Sequence, residues 1–203
     1  MRLLVLDRFW LTWSVEVAIA VGTIGAVLVA LFGQAFRARF FPPQLKLGLV
    51  STEGEAVVGR NTSGRTLKMR YYHLRVSNDR RWSPAHGVRI VLLQVEELGP
   101  DGMNQVRWTG DVPFAWRHQQ LFPVERTIGA PSDLDLISVS EEPILTIHLL
   151  LEPLNLQVRR HTQTTFVLKC QARGNESDSD PLAIKVAWDG NWHEDMSGHL
   201  ALD

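Results

Sequence analysis

The 203-residue chain has one cysteine, two tyrosines, almost no net charge and a single long apolar run. With Cys170 as the lone thiol there is nothing for an intrachain disulfide to join, so the fold rests on its hydrophobic core. A formal charge of −1 gives no global attraction for nucleic acid, and none is expected as a partner. One apolar run excludes a polytopic helical membrane protein, 15 glycines are far too few for collagen, and 45% hydrophobic residues are too many for a disordered chain. The Gly-x-Ser-x-Gly elbow, the Gly-x-Gly-x-x-Gly turn and the Gly-x-x-x-x-Gly-Lys phosphate loop are all missing. The chain therefore reads as non-enzymatic and free of cofactor. At roughly 100 to 200 residues per domain, its length fits one folded domain with an appendage.

The apolar run supplies the appendage. Residues 17–32 carry no charge, and within 9–32 only Glu16 does. A helix of about 20 apolar residues spans a hydrocarbon core. Trp10 and Trp13 stand near one end of the run, where indoles favour the interface, and Arg37 and Arg39 follow the other. Glu16 is read as a boundary residue reaching back to the headgroups. The expected order is a short tail over residues 1–8, a transmembrane helix over 9–32, a basic juxtamembrane linker over 33–43 and a folded domain over 44–203. A cleavable signal peptide is the competing reading, since Gly33 and Ala35 form a small-x-small pair, but the run is longer than the usual h-region and lacks a compact basic n-region. Basic residues nearly balance across the span, with Arg2 and Arg8 before it and Arg37, Arg39 and Lys46 after it. The basic character continues through Arg60, Arg65, Lys68 and Arg70, which favours the cytoplasmic side of an inner membrane for the domain. Ala18, Gly22, Ala26 and Ala30, with Ser14 before them, recur every four residues and form a candidate face for helix association into a homodimer.

After Pro42-Pro43 the apolar spacing changes from helical to period 2. Phe166, Leu168, Cys170 and Ala172 alternate with more polar neighbours, as do Leu182, Ile184, Val186 and Trp188, the pattern of half-buried antiparallel strands. Cys170 then points inward as a small hydrophobe. Residues 174–181 between these runs read as a hairpin loop, and Glu176, Asp178 and Asp180 in it lack the Gly and distant Glu of a calcium loop. Further strands are expected over 45–50, 70–77, 88–95, 134–139, 145–151 and 156–159. In the second of these, Leu67 and Met69 have the opposite parity to Tyr72, Leu74 and Val76, which predicts a bulge near Tyr71. Residues 107–130 are the least regular part and predict a long cross-connection. Eight short strands without a long amphipathic helix argue for a mainly β fold, an antiparallel sandwich behind one N-terminal helix.

The segment Tyr71-Tyr-His-Leu-Arg-Val-Ser-Asn78, a short loop and Ser83-Pro-Ala-His-Gly-Val-Arg-Ile90 resemble the strand, Asn, Pro-Ala, strand signature of bacterial immunoglobulin-like sandwiches. With the amino-terminal span, the chain is similar to uncharacterised bacterial single-pass membrane proteins that carry one such domain. The resemblance implies an immunoglobulin-like β-sandwich and brings no catalytic residues with it. Asn78 is expected to cap its strand by bonding its own backbone, and Pro84 to fix the loop.

Residues 188–199 concentrate Asp189, His193, Glu194, Asp195 and His199, the best cluster for a metal. The six-residue His spacing does not place both rings on one helix face, so no metal site is assigned, and a metal-dependent hydrolase using His193 to His199 is the least favoured function. Tryptophan is the more unusual feature. Trp82, Trp116 and Trp192 are the candidate partner-binding rings, able to anchor a protein or to stack on a sugar. Charge is polarised along the chain: residues 1–89 hold 13 basic and 5 acidic residues, residues 90–203 hold 8 and 17, and +8 with −9 leaves −1. The leading expectation is a membrane-anchored, non-enzymatic interaction module presenting its domain to a protein partner. The second is an extracytoplasmic carbohydrate or ligand binder.

Overall fold

The computed structural model describes residues 3–60, 64–99, 102–117, 124–195 and 200–202. It divides into two compact units, Met1–Pro42 and Pro43–Asp203. The first is a single helix, α1 (Leu3–Phe40), which runs beyond both ends of the expected 9–32. Nothing after residue 32 interrupts it until Pro42-Pro43, and a residue preceding proline is driven out of the helical region. Within α1, Val15–Gly33 is 19 residues long with a mean hydropathy of 2.4, and none of it is buried. At 1.5 Å per residue that stretch is about 28 Å, the thickness of a hydrocarbon core. Its length and composition suit a membrane span and equally a signal sequence.

The second unit is mainly β. Its strands are β1 (Leu45–Leu49), β2 (Glu55–Arg60), β3 (Thr66–Asn78), β4 (Ala85–Leu98), β5 (Asn104–Pro113), β6 (Arg126–Ile128), β7 (Ser132–Ser140), β8 (Ile144–Ile147), β9 (Arg159–Arg160), β10 (Thr164–Arg173), β11 (Leu182–Trp188) and β12 (Leu200–Leu202). They form two antiparallel sheets of six strands. Sheet 1 has the order β1-β3-β7-β8-β9, with β2 also lying along β3; sheet 2 has the order β12-β11-β10-β4-β5, with β6 also lying along β4.

The alternation in the sequence decides what each sheet buries. Tyr72, Leu74 and Val76 of β3, Leu134, Ile137 and Val139 of β7, and Leu145 and Ile147 of β8 come from sheet 1. Ile90, Leu92 and Val95 of β4 meet them from sheet 2, with Phe166, Leu168 and Cys170 of β10 and Ile184, Val186 and Trp188 of β11, in one continuous core. Each such large apolar side chain contributes about 1.5 to 3 kcal/mol on burial.

Four described strands have no counterpart in the sequence reading: β2, β5, β6 and β12. In β2, Ala56, Val57 and Val58 are all exposed, so burial imposes no alternation. β5 falls partly within the stretch expected to be irregular. The cross-connection begins at its end, where Pro113 cannot donate to a ladder. There Phe114 bridges to Leu149 and Trp116 to Leu134, carrying the chain from sheet 2 to sheet 1.

The irregularity near Tyr71 differs from expectation. The ladder of β3 with β7 shifts between Tyr72, opposite Ile137, and His73, opposite Asp135, so the extra residue is Leu136 on β7. β3 itself is not bulged. Leu67 and Met69 therefore keep their parity and lie on the outer face of sheet 1, away from the core.

Asn78 does more than cap its own strand. Its Oδ1 accepts from the N–H of Gln44 at 3.0 Å and of Arg80 at 3.0 Å, while its Nδ2 donates to the carbonyl of Ser83 at 2.7 Å and of Ile128 at 3.4 Å. The side chain is buried, and it ties the start of β1, the 79–84 loop and β6 together.

Candidate functional site

The polar residues that the fold gathers most closely lie on the outer face of sheet 1. Outward positions of neighbouring strands stack across the ladders: Tyr71, His73 and Arg75 from β3, Asp133, Asp135 and Ser138 from β7, and His148 just beyond β8. Glu55 joins from β2, opposite Tyr71. The crossing segment contributes Arg117, whose N–H donates to the carbonyl of Asp133 at 3.2 Å. The extra residue on β7 sets Asp135 opposite His73, with the two side chains on one face.

His73 is only 6% exposed although it bears two polar nitrogens. Its Nδ1 lies 2.9 Å from Asp135 Oδ1 and its Nε2 lies 3.6 Å from Glu55 Oε2. Neither contact has hydrogen-bond alignment, and both ring nitrogens and Asp135 Oδ1 have no hydrogen-bond partner among the described residues. These are close approaches, not made hydrogen bonds, because the direction of approach matters more here than the short separation. Around them the pairs are well formed. Arg117 Nη2 donates to both Glu55 carboxylate oxygens at 2.7 Å, and Arg75 donates to both oxygens of Asp133, at 2.7 and 2.9 Å. The Arg75 guanidinium holds the Asp133 carboxyl below its ordinary range, against partial desolvation.

The aromatic members stack. Tyr71 lies 6.2 Å from His73 and 5.3 Å from His148 between ring centroids, nearly parallel to both. His148 Nε2 shares a 2.8 Å hydrogen bond with Ser138 Oγ. Burial pushes the His148 imidazole down from its ordinary value, which favours the neutral ring, and the charge of Asp135 opposes the shift. Tyr71 is pushed up by burial, with Asp135 adding to the effect.

A serine hydrogen-bonded to a neutral imidazole has the form of a nucleophile and its base. Acyl transfer also needs donors aimed at the developing oxyanion. Ser138 sits on a central strand, opposite Tyr71 on one side and Thr146 on the other, so the ladders engage the backbone N–H groups around it. The cluster presents a charged and partly buried surface.

Beside it, a pocket of about 280 Å³ is lined by Leu67, Met69, Ser138, Ser140, Glu142, Ile144, Thr146 and Arg159. It is a concavity on the same outer face, with apolar side chains, hydroxyls and the charged Glu142 and Arg159 at its walls. Sequence reasoning missed the whole arrangement. His73 and His148 stood scattered among strands, and the parity of Leu67 and Met69 was the one signal that this face is not simply polar.

The three candidate tryptophans do not form one surface. Trp82 is 56% exposed, on the 79–84 loop beside Asn78. Trp116 is 4% exposed, its Nε1 donating to the Val124 carbonyl at 2.8 Å and its ring lying under the Arg126 guanidinium. That corrects the expectation of a surface ring: the strand switch after Pro113 turns Trp116 into the core. Trp192 is half-buried and packs against the core near the opposite end of β3, where Lys68 pairs with Glu194 at 2.7 Å.

The Asp189 to Asp195 stretch is bound up with itself and with β3. His193 Nε2 meets Asp189 Oδ2 at 2.6 Å, and this contact, with the Asn191 N–H, lowers the Asp189 carboxyl to about 2. Arg70 donates to the Glu194 carbonyl at 2.6 Å. Among the described residues no group of three His, Cys, Asp or Glu side chains is placed to hold a metal ion, and His199 lies outside them. Ala18, Gly22, Ala26 and Ala30 are all exposed along α1, and a side chain built at Gly22 would meet nothing. Cys170 is fully buried, and desolvation drives its thiol far up from the ordinary value. No protein-family model matches this chain, and no curated protein matches it.

Proposed function

We propose that this chain is a membrane-anchored, non-enzymatic interaction module that presents an immunoglobulin-like β-sandwich to a protein partner. The observation that carries the reading is the exposure of Val15–Gly33: 19 residues of mean hydropathy 2.4 with none buried, ahead of a domain that completes its own core without them. Exposed apolar surface on that scale demands a non-aqueous neighbour, and a bilayer supplies one. Two antiparallel sheets sharing one core are the architecture that the immunoglobulin-like resemblance requires. On this reading the helix crosses a bacterial inner membrane once, with the domain on the cytoplasmic side, where the basic residues after the span favour it.

The protein partner is preferred to a glycan because sugar stacking needs several rings on one surface. Trp82 and Trp192 stand at opposite ends of β3, and Trp116 is buried.

Two measurements test the proposal. Full-length chain should stay with the membrane fraction through alkaline carbonate and leave it only with detergent; release by carbonate, or loss of the first thirty-odd residues from the mature protein, would replace the anchor with a peripheral or secreted form. A reporter fused after Asp203 should be active only in the cytoplasm, and activity outside the inner membrane reverses the orientation.

A further inference from the structure

The side chains around the pocket of sheet 1 are ordered by the ladders beneath them. Ser138 stands opposite Thr146 and Thr146 opposite Arg159, so two hydroxyls and a guanidinium form one row across β7, β8 and β9. Two residues further along the strands, about 7 Å away, Met69, Ser140 and Ile144 form the next row. Leu67 follows Met69 on β3, with the same parity. All of them line the one cavity of about 280 Å³. The first row is polar. The hydroxyl in the second is engaged, because Ser140 Oγ donates to the Glu142 carbonyl at 2.5 Å, and the rest of that row is apolar.

The polar row has donors to give. Ser138 is only 2% exposed, and its Oγ shares the hydrogen bond with His148 Nε2. When that nitrogen carries the proton, the Ser138 hydroxyl donates into the pocket. Arg159 meets Glu152 at 3.1 Å, but both side chains are more than half exposed, and such a pair is weak. It engages one of the five donors of a guanidinium. At the other end, past the apolar row, Glu142 lies in the turn after β7. The pocket therefore has a positive end, an apolar middle and a negative end.

This sequence of groups fits one kind of small molecule. We propose that the pocket binds a free carboxylic acid with an unbranched apolar chain, its carboxylate on Arg159, Thr146 and Ser138 and its chain over Ile144, Met69 and Leu67. The two carboxylate oxygens match the guanidinium fork, and Glu142 repels the reversed orientation. An amine of the same length, drawn to Glu142, would lay its chain on the hydroxyls and the guanidinium. A peptide carboxyl terminus is the poorer occupant: its N–H and C=O groups would cross the apolar row, where β7 is already paired with β3 and β8 on its two sides. The proposal goes beyond the interaction-module reading and does not depend on it.

The test uses the full-length chain in phosphatidylcholine nanodiscs, with its methionine methyl groups isotopically labelled for NMR and octanoate as the probe. Met69, assigned with M69L, reports from the pocket wall; Met103, 68% exposed just before β5, is the control. Octanoate should shift the Met69 methyl signal in a saturable way and leave Met103 unmoved, with empty nanodiscs correcting for acid taken up by lipid. Octanol, which lacks the charge, should bind about tenfold more weakly, and R159Q should weaken octanoate by a similar factor while keeping the melting temperature. No shift of Met69 with octanoate, octanol or octylamine bound as tightly as octanoate, or an unchanged affinity in R159Q would overturn the proposal. N-acetylleucine bound more tightly than octanoate would also overturn it and make a peptide terminus the occupant.

Discussion

Ser138 on β7 and His148 just after β8 share a 2.8 Å hydrogen bond beneath the Tyr71 ring, on the face of sheet 1 that points away from the core. Burial lowers the His148 pKa from 6.5, so between the lowered value and 6.5 the unfolded chain binds a proton that the folded chain refuses. This contribution to stability is present above pH 6.5 and is lost as pH falls through that window. Thermal unfolding followed between about pH 8 and pH 5 should show the decline, and H148Q, which keeps a hydrogen-bonding group, should flatten it. An unchanged slope in H148Q would show that another group carries the dependence.

Asn78 joins three separate pieces of chain, so its loss should be felt well beyond its strand. N78A leaves the Gln44 and Arg80 N–H groups and the Ser83 and Ile128 carbonyls without their partner. Unfolding in denaturant should register a cost of about 3 kcal/mol. A cost under about 0.5 kcal/mol would mean that water replaces the side chain at no expense.

Trp116 distinguishes a core role from a surface role. W116A should destabilise the domain by about 3 to 5 kcal/mol, as large-to-small changes in a packed interior do. W82A, at an exposed loop position, should stay within about 0.5 kcal/mol of the parent. Parallel unfolding curves of the two variants decide the matter, and equal costs would contradict the packing described above.

Cys170 lies inside sheet 2 with its thiol pKa driven up by burial. A thiolate is the reactive form, so the folded protein should not react with an aromatic disulfide reagent at neutral pH and should react stoichiometrically in denaturant. Rapid labelling of the native chain would indicate that β10 opens locally.

Much of the fold was legible where burial on one face imposes alternation. β10 and β11 show it most clearly: Phe166, Leu168 and Cys170 and their counterparts Ile184, Val186 and Trp188 are the inward set by parity alone, and all are buried. The loop between them and the strand ending at Asn78 were legible for the same local reasons. β2 was not, because exposed alanine and valines carry no period. The course of residues 107–130 was not, because switching sheets after Pro113 depends on partners distant in sequence, Leu149 and Leu134.

By itself the sequence determined the apolar N-terminal helix, the absence of an intrachain disulfide and a mainly β domain after Pro42-Pro43, since each follows from composition or local periodicity. Only the tertiary structure decided which outward residues meet. The register of β2, β3, β7 and β8, with Leu136 as the extra residue, brings Glu55, His73, Asp135, Ser138 and His148 to one face and leaves β2 at its open edge. Ladder register is set by the packing of both sheets at once, and no window of sequence contains it.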